Sequence, residues 1–188
     1  RDIVQQVENN TIDIGIVEGA VQNANLAIRE CQPDQLVAIF PRGHQLAAKE
    51  RVTPAELLDY QFVLREEGSG TREVLADYIR EGGADPNKLD IVMELGSGES
   101  VKGAVESGMG ISVVSQATVR KEAQLGTLEV RPLDPALERA FSFVHQKQKF
   151  RSQAVERFYQ FIQEQCKKGD PWQEGDSVSE ASAVAVQR

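Results

Sequence analysis

Histidine, cysteine and tryptophan are scarce in this chain: two, two and one among 188 residues. His44 sits in the polar turn PRGHQ and His145 at the end of an apolar stretch. Neither has sequence neighbours from which a metal site or an activated nucleophile could be built. Cys31 and Cys166 form neither a zinc pattern nor a disulfide framework, and read as two buried free thiols in a reducing compartment. Positive charge is also short. Twenty-one Lys and Arg against 29 Asp and Glu give a net charge of -8, and an acidic stretch does not grip a phosphate backbone by itself. No apolar run approaches the ~20 residues of a membrane helix, and no signal peptide stands at the front. The chain opens inside a helical pattern and reads as truncated. Catalytic signatures are missing too: there is no Gly-x-Ser-x-Gly elbow, no singled-out carboxylate pair and no phosphate loop with its Lys. The expectation is no enzyme, no metal and no cofactor.

What is present suits a globular protein, with 40% apolar and 27% charged residues and enough length for one domain or two small lobes. Helical spacing over residues 2 to 9 precedes TIDIGIVEG, a strand by its alternation. NLAIREC reads as an extended piece, and QLVAIFP as a strand buried on both faces. Thr53, Pro54 and Glu56 make a capping box with a favourable proline at the first helical position. YQFVLR then leads through Gly68-Ser69-Gly70-Thr71-Arg72 into a helix ended by Gly82-Gly83. The architecture repeats. A strand over Ile91 to Leu95 runs into Gly96-Ser97-Gly98 and a helix, and Gly108 and Gly110 precede a strand over Ile111 to Val114. GTLEVRPL and RAFSFVHQ are two further strands, Ser152 to Cys166 is a helix, and residues 169–188 with the lone Trp172 read as a disordered tail. Alternating strands and helices imply an α/β fold with mixed sheets.

Two strand–turn–helix units place ligand chemistry at the carboxyl ends of strands. In the first, the amides of a helix start, the hydroxyls of Ser69 and Thr71, the bare backbone of Gly70 and the charge of Arg72 suit a carboxylate or another small anion. An ordinary capped helix explains the same residues. In the second, Ser97 is the expected cap and Ser100 lies one turn inside, while Glu99 opposes an anion. Glu18, closing the first strand, is either a cleft residue or an exposed loop glutamate.

In order and spacing, DIGIVEG, LVAIFPRGHQLA, LREEGSGTRE and MELGSGESVKGAVESGMGISVVSQ resemble the effector-binding domain of LysR-type transcriptional regulators over residues 2 to 166. The resemblance implies two Rossmann-like subdomains with mixed sheets joined by crossover strands, as in type 2 periplasmic binding proteins. Subdomain I would comprise residues 1–40 and 118–168, and subdomain II residues 41–117. The first strand, helix and strand of subdomain I would be missing, together with a helix-turn-helix. It further implies a small anion or carboxylate effector in the cleft, held by Ser69, Gly70, Thr71, Gly96 and Ser97, with Glu18 and Gly110 also in contact and Arg72 and Ser100 in support. It implies a cytoplasmic regulator that is a homodimer or tetramer when full length, touches DNA only through the missing segment, and has no membrane partner. Two other readings share the fold. One is a transport solute-binding protein. The other is an enzyme such as a prephenate dehydratase or porphyrin-precursor deaminase.

Overall fold

The computed structural model describes residues 2–18, 23–147 and 153–167. Residues 1–148 form one compact unit and 149–188 another. The second unit contains helix α6 (Gln153–Lys167), at the place its apolar stripe predicts. The expected tail, with Trp172, and the side chain of Cys166 lie outside the described residues.

Helix α1 (Asp2–Glu8) packs beside strand β1 (Ile14–Glu18), where Val7, Leu26 and Val144 make a small core with Val4, Ile12 and Val17. Gly15 permits that approach: a Cβ there would lie 2.4 Å from Cγ2 of Ile3. The two extended pieces expected around residues 25–41 are a single 16-residue strand, β2 (Leu26–Pro41). The two expected over 126–146 are likewise one 19-residue strand, β6 (Leu128–Gln146). These strands pair antiparallel along nearly their whole length. The register jumps between Leu36 and Val37, which face Leu137 and Pro132, so residues 133–136 of β6 loop out. Strand β1 pairs with the far end of β6, Ile14 with His145 through Glu18 with Phe141. Cys31 lies in β2 and is disulfide-bonded, not the free thiol expected. Spacing along the chain excluded a disulfide framework but sets no limit on which sulfurs meet in space.

The second half of the unit is built on strands β3 (Gln61–Arg65), β4 (Asp90–Leu95) and β5 (Ser112–Ser115). Strands β3 and β4 run parallel, Gln61 beside Asp90 and Arg65 beside Leu95. The approach to β5 joins β3 in the same direction, with Ile111 N–H donating to Gln61 O at 2.8 Å and Val63 N–H to Ile111 O at 2.9 Å. Further along, β5 pairs antiparallel with Leu36–Ile39 of β2. Helix α3 (Gly70–Glu81) follows β3 and helix α4 (Gly98–Glu106) follows β4. They cover opposite faces. Phe62 and Leu64 of β3 pack with Leu75, Tyr78 and Ile79 of α3, while Val63 packs with Val101, Ala104 and Val105 of α4. This period-two alternation with both faces buried is why QFVLR carries no polar face.

Short helices complete the frame. Helix α2 (Pro54–Leu57) has the predicted capping box: Glu56 Oε2 accepts from Thr53 N–H at 2.9 Å, and Thr53 Oγ1 accepts from Glu56 N–H at 3.4 Å. Helix α5 (Arg120–Leu125) leads into β6. Both histidines have structural places. His44 Nδ1 accepts from Leu46 N–H at 3.3 Å, and its ring lies between those of Phe40 and Tyr60. Burial pushes its pKa below the ordinary value. His145 is buried in β6. Among the described residues no group of three or more His, Cys, Asp or Glu could hold a metal ion, and no helix is long and apolar enough to cross a membrane.

Candidate ligand-binding site

Because β3 and β4 are parallel and end opposite each other, Arg65 beside Leu95, the turns that follow them emerge side by side, and Glu66 N–H donates to Leu95 O at 3.2 Å. The starts of α3 and α4 are therefore neighbours at one carboxyl edge, where loops of an α/β sheet gather ligands. Against this edge lies an arginine that sequence reasoning missed. Arg139 of β6 has a side chain only 4% exposed. Its Nε donates to Asp34 Oδ2 at 2.8 Å. Its Nη1 donates to Glu18 Oε2 at 2.6 Å and to Thr71 Oγ1 at 2.9 Å. The Phe141 ring lies beneath it, 5.5 Å from the guanidinium carbon. Asp34 is itself held on its other oxygen by the Ser115 hydroxyl at 2.5 Å. One guanidinium thus gathers β1, β2, β6 and the start of α3, with Ser115 at the end of β5 joined through Asp34.

The predicted residues divide. Glu18, Gly70 and Thr71 come together: a Cβ on Gly70 would lie 3.3 Å from both Cβ and Oε2 of Glu18. Ser69 is 8% exposed and stands at the N-cap of α3, yet its side chain makes no capping bond. The amides of the first turn therefore keep their donors. Arg72 turns away, pairing with Glu94 at 2.9 Å and donating to Arg65 O at 3.1 Å. That fastens α3 to β3 and β4. Gly96 and Ser97 are exposed on the neighbouring turn. The Ser97 hydroxyl accepts from Ser100 N–H at 3.1 Å and lies 2.8 Å from the Ser100 hydroxyl, so it is occupied as a cap. Gly110 is not part of the cluster. It lies at the opposite edge of the sheet, with φ +152° and a would-be Cβ 2.5 Å from Gln61 O, and its requirement for glycine is one of backbone packing.

Electrostatics at the edge are closely matched. Arg65 clasps Glu66 through Nε and Nη2 at 2.7 and 2.8 Å, and those bonds bring the Glu66 carboxyl down to about 2. Glu99, whose charge opposes an anion at α4, is met by Lys102 Nζ at 2.9 Å. Lys102 also binds Glu122 at 2.8 Å and Thr118 O at 2.7 Å. Burial disfavours its charge, but the bonds to Glu122 and Glu99 outweigh burial and lift its pKa above the ordinary lysine value. A cavity of about 680 Å³, lined by Leu75, Arg80, Pro86 and Ile91 among others, lies on the flank of α3 rather than at this edge.

The LysR substrate binding domain family model matches residues 1–167. The chain is 35% identical over 162 residues to the HTH-type transcriptional regulator YeiE of Escherichia coli K12, covering 86% of this chain and 54% of that protein. It is 31% identical over 166 residues to a probable RuBisCO transcriptional regulator of Cyanophora paradoxa, covering 86% and 51%. The chain thus spans about half the length of the curated relatives it matches. Among solved structures it resembles the regulatory domain of CcmR from Synechocystis PCC6803 in complex with 2-PG. The TM-score there is 0.79 and the identity 29%, over 90% of this chain and 81% of that one. The effector binding domain of QuiR in complex with shikimate shares the fold, with a TM-score of 0.76 and 20% identity over 89% and 78%. The periplasmic-binding-protein-like α/β architecture implied by the resemblance is therefore present, and the chain belongs to the LysR substrate-binding domain family.

Proposed function

We propose that this chain is the effector-sensing part of a LysR-type transcriptional regulator that works in the cytoplasm, binds a small anionic molecule and does no chemistry on it. The effector lies against the starts of α3 and α4 and reports to a helix-turn-helix segment in the full-length protein, which acts as a dimer or tetramer. The observation that carries this reading is the Arg139–Glu18–Thr71 cluster, which draws the long strand β6, the end of β1 and a helix start onto one guanidinium. The ligand set is Arg139, Thr71, Ser69 and the amides after Gly70, with Glu18 at its rim and the Gly96-Ser97 turn beside it. The CcmR regulatory domain, solved with 2-PG, supports a small-molecule ligand. To act as a switch, the effector must bind one arrangement of these elements better than another, because equal affinity shifts nothing.

Thermal melting of the full-length regulator against a panel of small carboxylates and phosphate esters tests this. A midpoint that climbs with concentration for at least one compound, with DNA affinity changed by the same compound, is the expected result. A panel that leaves both melting and DNA binding unmoved overturns it.

A further inference from the structure

The site already contains an anion of its own. Glu18 Oε2 lies 2.6 Å from Arg139 Nη1, and the same oxygen would stand 3.3 Å from a Cβ on Gly70, against the first turn of α3. That is where a helix start favours negative charge, and Ser69 supplies no capping oxygen there. We propose that Glu18 is a tethered occupant of the effector's carboxylate position, so that a small carboxylate binds by displacing Glu18 from Arg139. This rests on the sensing function proposed above and adds the ligand class and the residue that sets specificity.

Three features distinguish Glu18 from the other carboxylate on the same guanidinium. First, Asp34 is a fixture: its side chain is 4% exposed and it is held on both oxygens, by Arg139 and Ser115. Glu18 has a side chain 38% exposed, and Arg139 is the partner its carboxylate holds. Second, Arg139 and Thr71 keep capacity for a ligand. Among the described residues no acceptor is bonded to Arg139 Nη2, whereas Nε holds Asp34 and Nη1 holds Glu18 and Thr71. The Thr71 hydroxyl accepts from Arg139, which leaves its own proton to donate. A carboxylate taking Glu18's place therefore finds Nη1, Nη2, the Thr71 O–H and the α3 amides, a forked donor set that matches its two oxygens. Third, charge balance requires exchange rather than addition. Arg139 already faces two carboxylates, and a third beside them would be repelled.

The cost of displacement appears as weakened affinity. A ligand that binds only when Glu18 is away has its apparent Kd divided by the fraction of time the site is free, so nine-tenths occupancy by Glu18 weakens binding roughly tenfold.

The test is calorimetric titration of the full-length regulator and its Glu18→Gln and Glu18→Ala variants with acetate, malonate, shikimate and 2-PG, with methylammonium as a cationic probe. The expected result is that the carboxylates bind both variants about tenfold or more tighter than wild type, and that methylammonium gains nothing. Glu18→Gln keeps the side-chain size, so a gain there cannot come from collapse of the site. Carboxylates that bind wild type but bind the variants no better, or methylammonium binding lost on Glu18→Gln, overturn the displacement and leave the sensing function standing. If wild type and variants alike bind none of the probes, both proposals fall.

Discussion

Asp34 and Arg139 are 105 positions apart and meet at 2.8 Å with each side chain 4% exposed. Each makes the other tolerable, since a buried charge without its partner is among the costliest features a fold can contain. Arg139→Met is expected to destabilise the domain by about 3–5 kcal/mol, because it strands Asp34. The double variant Arg139→Met with Asp34→Leu should recover most of that loss, since replacing a buried pair by apolar groups is often neutral. Urea melts of the three proteins check this. A double variant no more stable than the single one would mean that the pair's value lies in its geometry rather than in mutual neutralisation.

Two glycines are expected to respond in opposite senses to the same substitution. Gly103 lies inside α4 with nothing within 4 Å of a Cβ and no positive φ, so Gly103→Ala should stabilise by about 0.5–1 kcal/mol through the entropy of the unfolded chain. Gly110 has φ +152° and a Cβ position 2.5 Å from Gln61 O, so Gly110→Ala should cost about 1–3 kcal/mol or more in backbone strain. Thermal melts of the two single variants would show the opposite signs. Equal, small effects would contradict the close packing at the amino edge of β3.

The Arg65–Glu66 pair should shape stability at low pH. Glu66 is held at about 2 by its bonds from Arg65, below its unfolded value. Its contribution is therefore present above the ordinary carboxylate range near 4.5 and is lost as pH falls from there through about 2. With the Glu66 side chain 45% exposed, solvent screening keeps the effect to about 1 kcal/mol or less. Wild type should exceed Glu66→Gln in stability at about pH 6, and the gap should close by about pH 2. Denaturant titrations at both ends give the comparison, and a gap that persists in acid would assign it to packing rather than charge.

Periodicity and caps made the helices and most strands legible, because those signals are local: Thr53 with Glu56, and Val101 with Ala104 and Val105, each lie within one turn. The continuity of β2 and β6 was not legible. NLAIREC and QLVAIFP read as separate pieces, as do GTLEVRPL and RAFSFVHQ, whereas each pair is one strand whose pairing absorbs a register shift between Glu30 and Gln32 and a loop of β6 opposite Leu36 and Val37. The site was half legible. Glu18, Gly70 and Thr71 follow from glycine-spaced turns at strand ends, but Arg139 owes its place to a partner far along the chain. One local signal did exist. Asp34 is in phase with Leu36, Ala38 and Phe40, all fully buried. An acid on the core-facing parity of a strand demands a buried cation, which the sequence does not locate. Gly110 shows a related ambiguity: a glycine required by φ and by a neighbouring carbonyl has the same sequence appearance as one required by a ligand.

Thr71 and Ser97 look equivalent in sequence, hydroxyls at two matching helix starts, yet the structure gives them different work. The Ser97 hydroxyl caps α4 by accepting from Ser100 N–H at 3.1 Å, so Ser97→Ala should cost about 0.5–2 kcal/mol of stability. Its effect on effector affinity should be smaller than that of Thr71. The Thr71 hydroxyl caps nothing and accepts from Arg139 at 2.9 Å. Thr71→Val keeps the shape, removes an acceptor from the guanidinium and a donor from the ligand, and should weaken effector binding by roughly three- to tenfold, about one hydrogen bond. Its melting temperature should fall less than that of Ser97→Ala, because the guanidinium it leaves keeps its bonds to Asp34 and Glu18. Paired titrations and melts of the two variants separate the roles. If Ser97→Ala lost affinity without losing stability while Thr71→Val did the reverse, the effector would have to sit on the α4 turn, and Arg139 would be only the fastening between the long strands and α3.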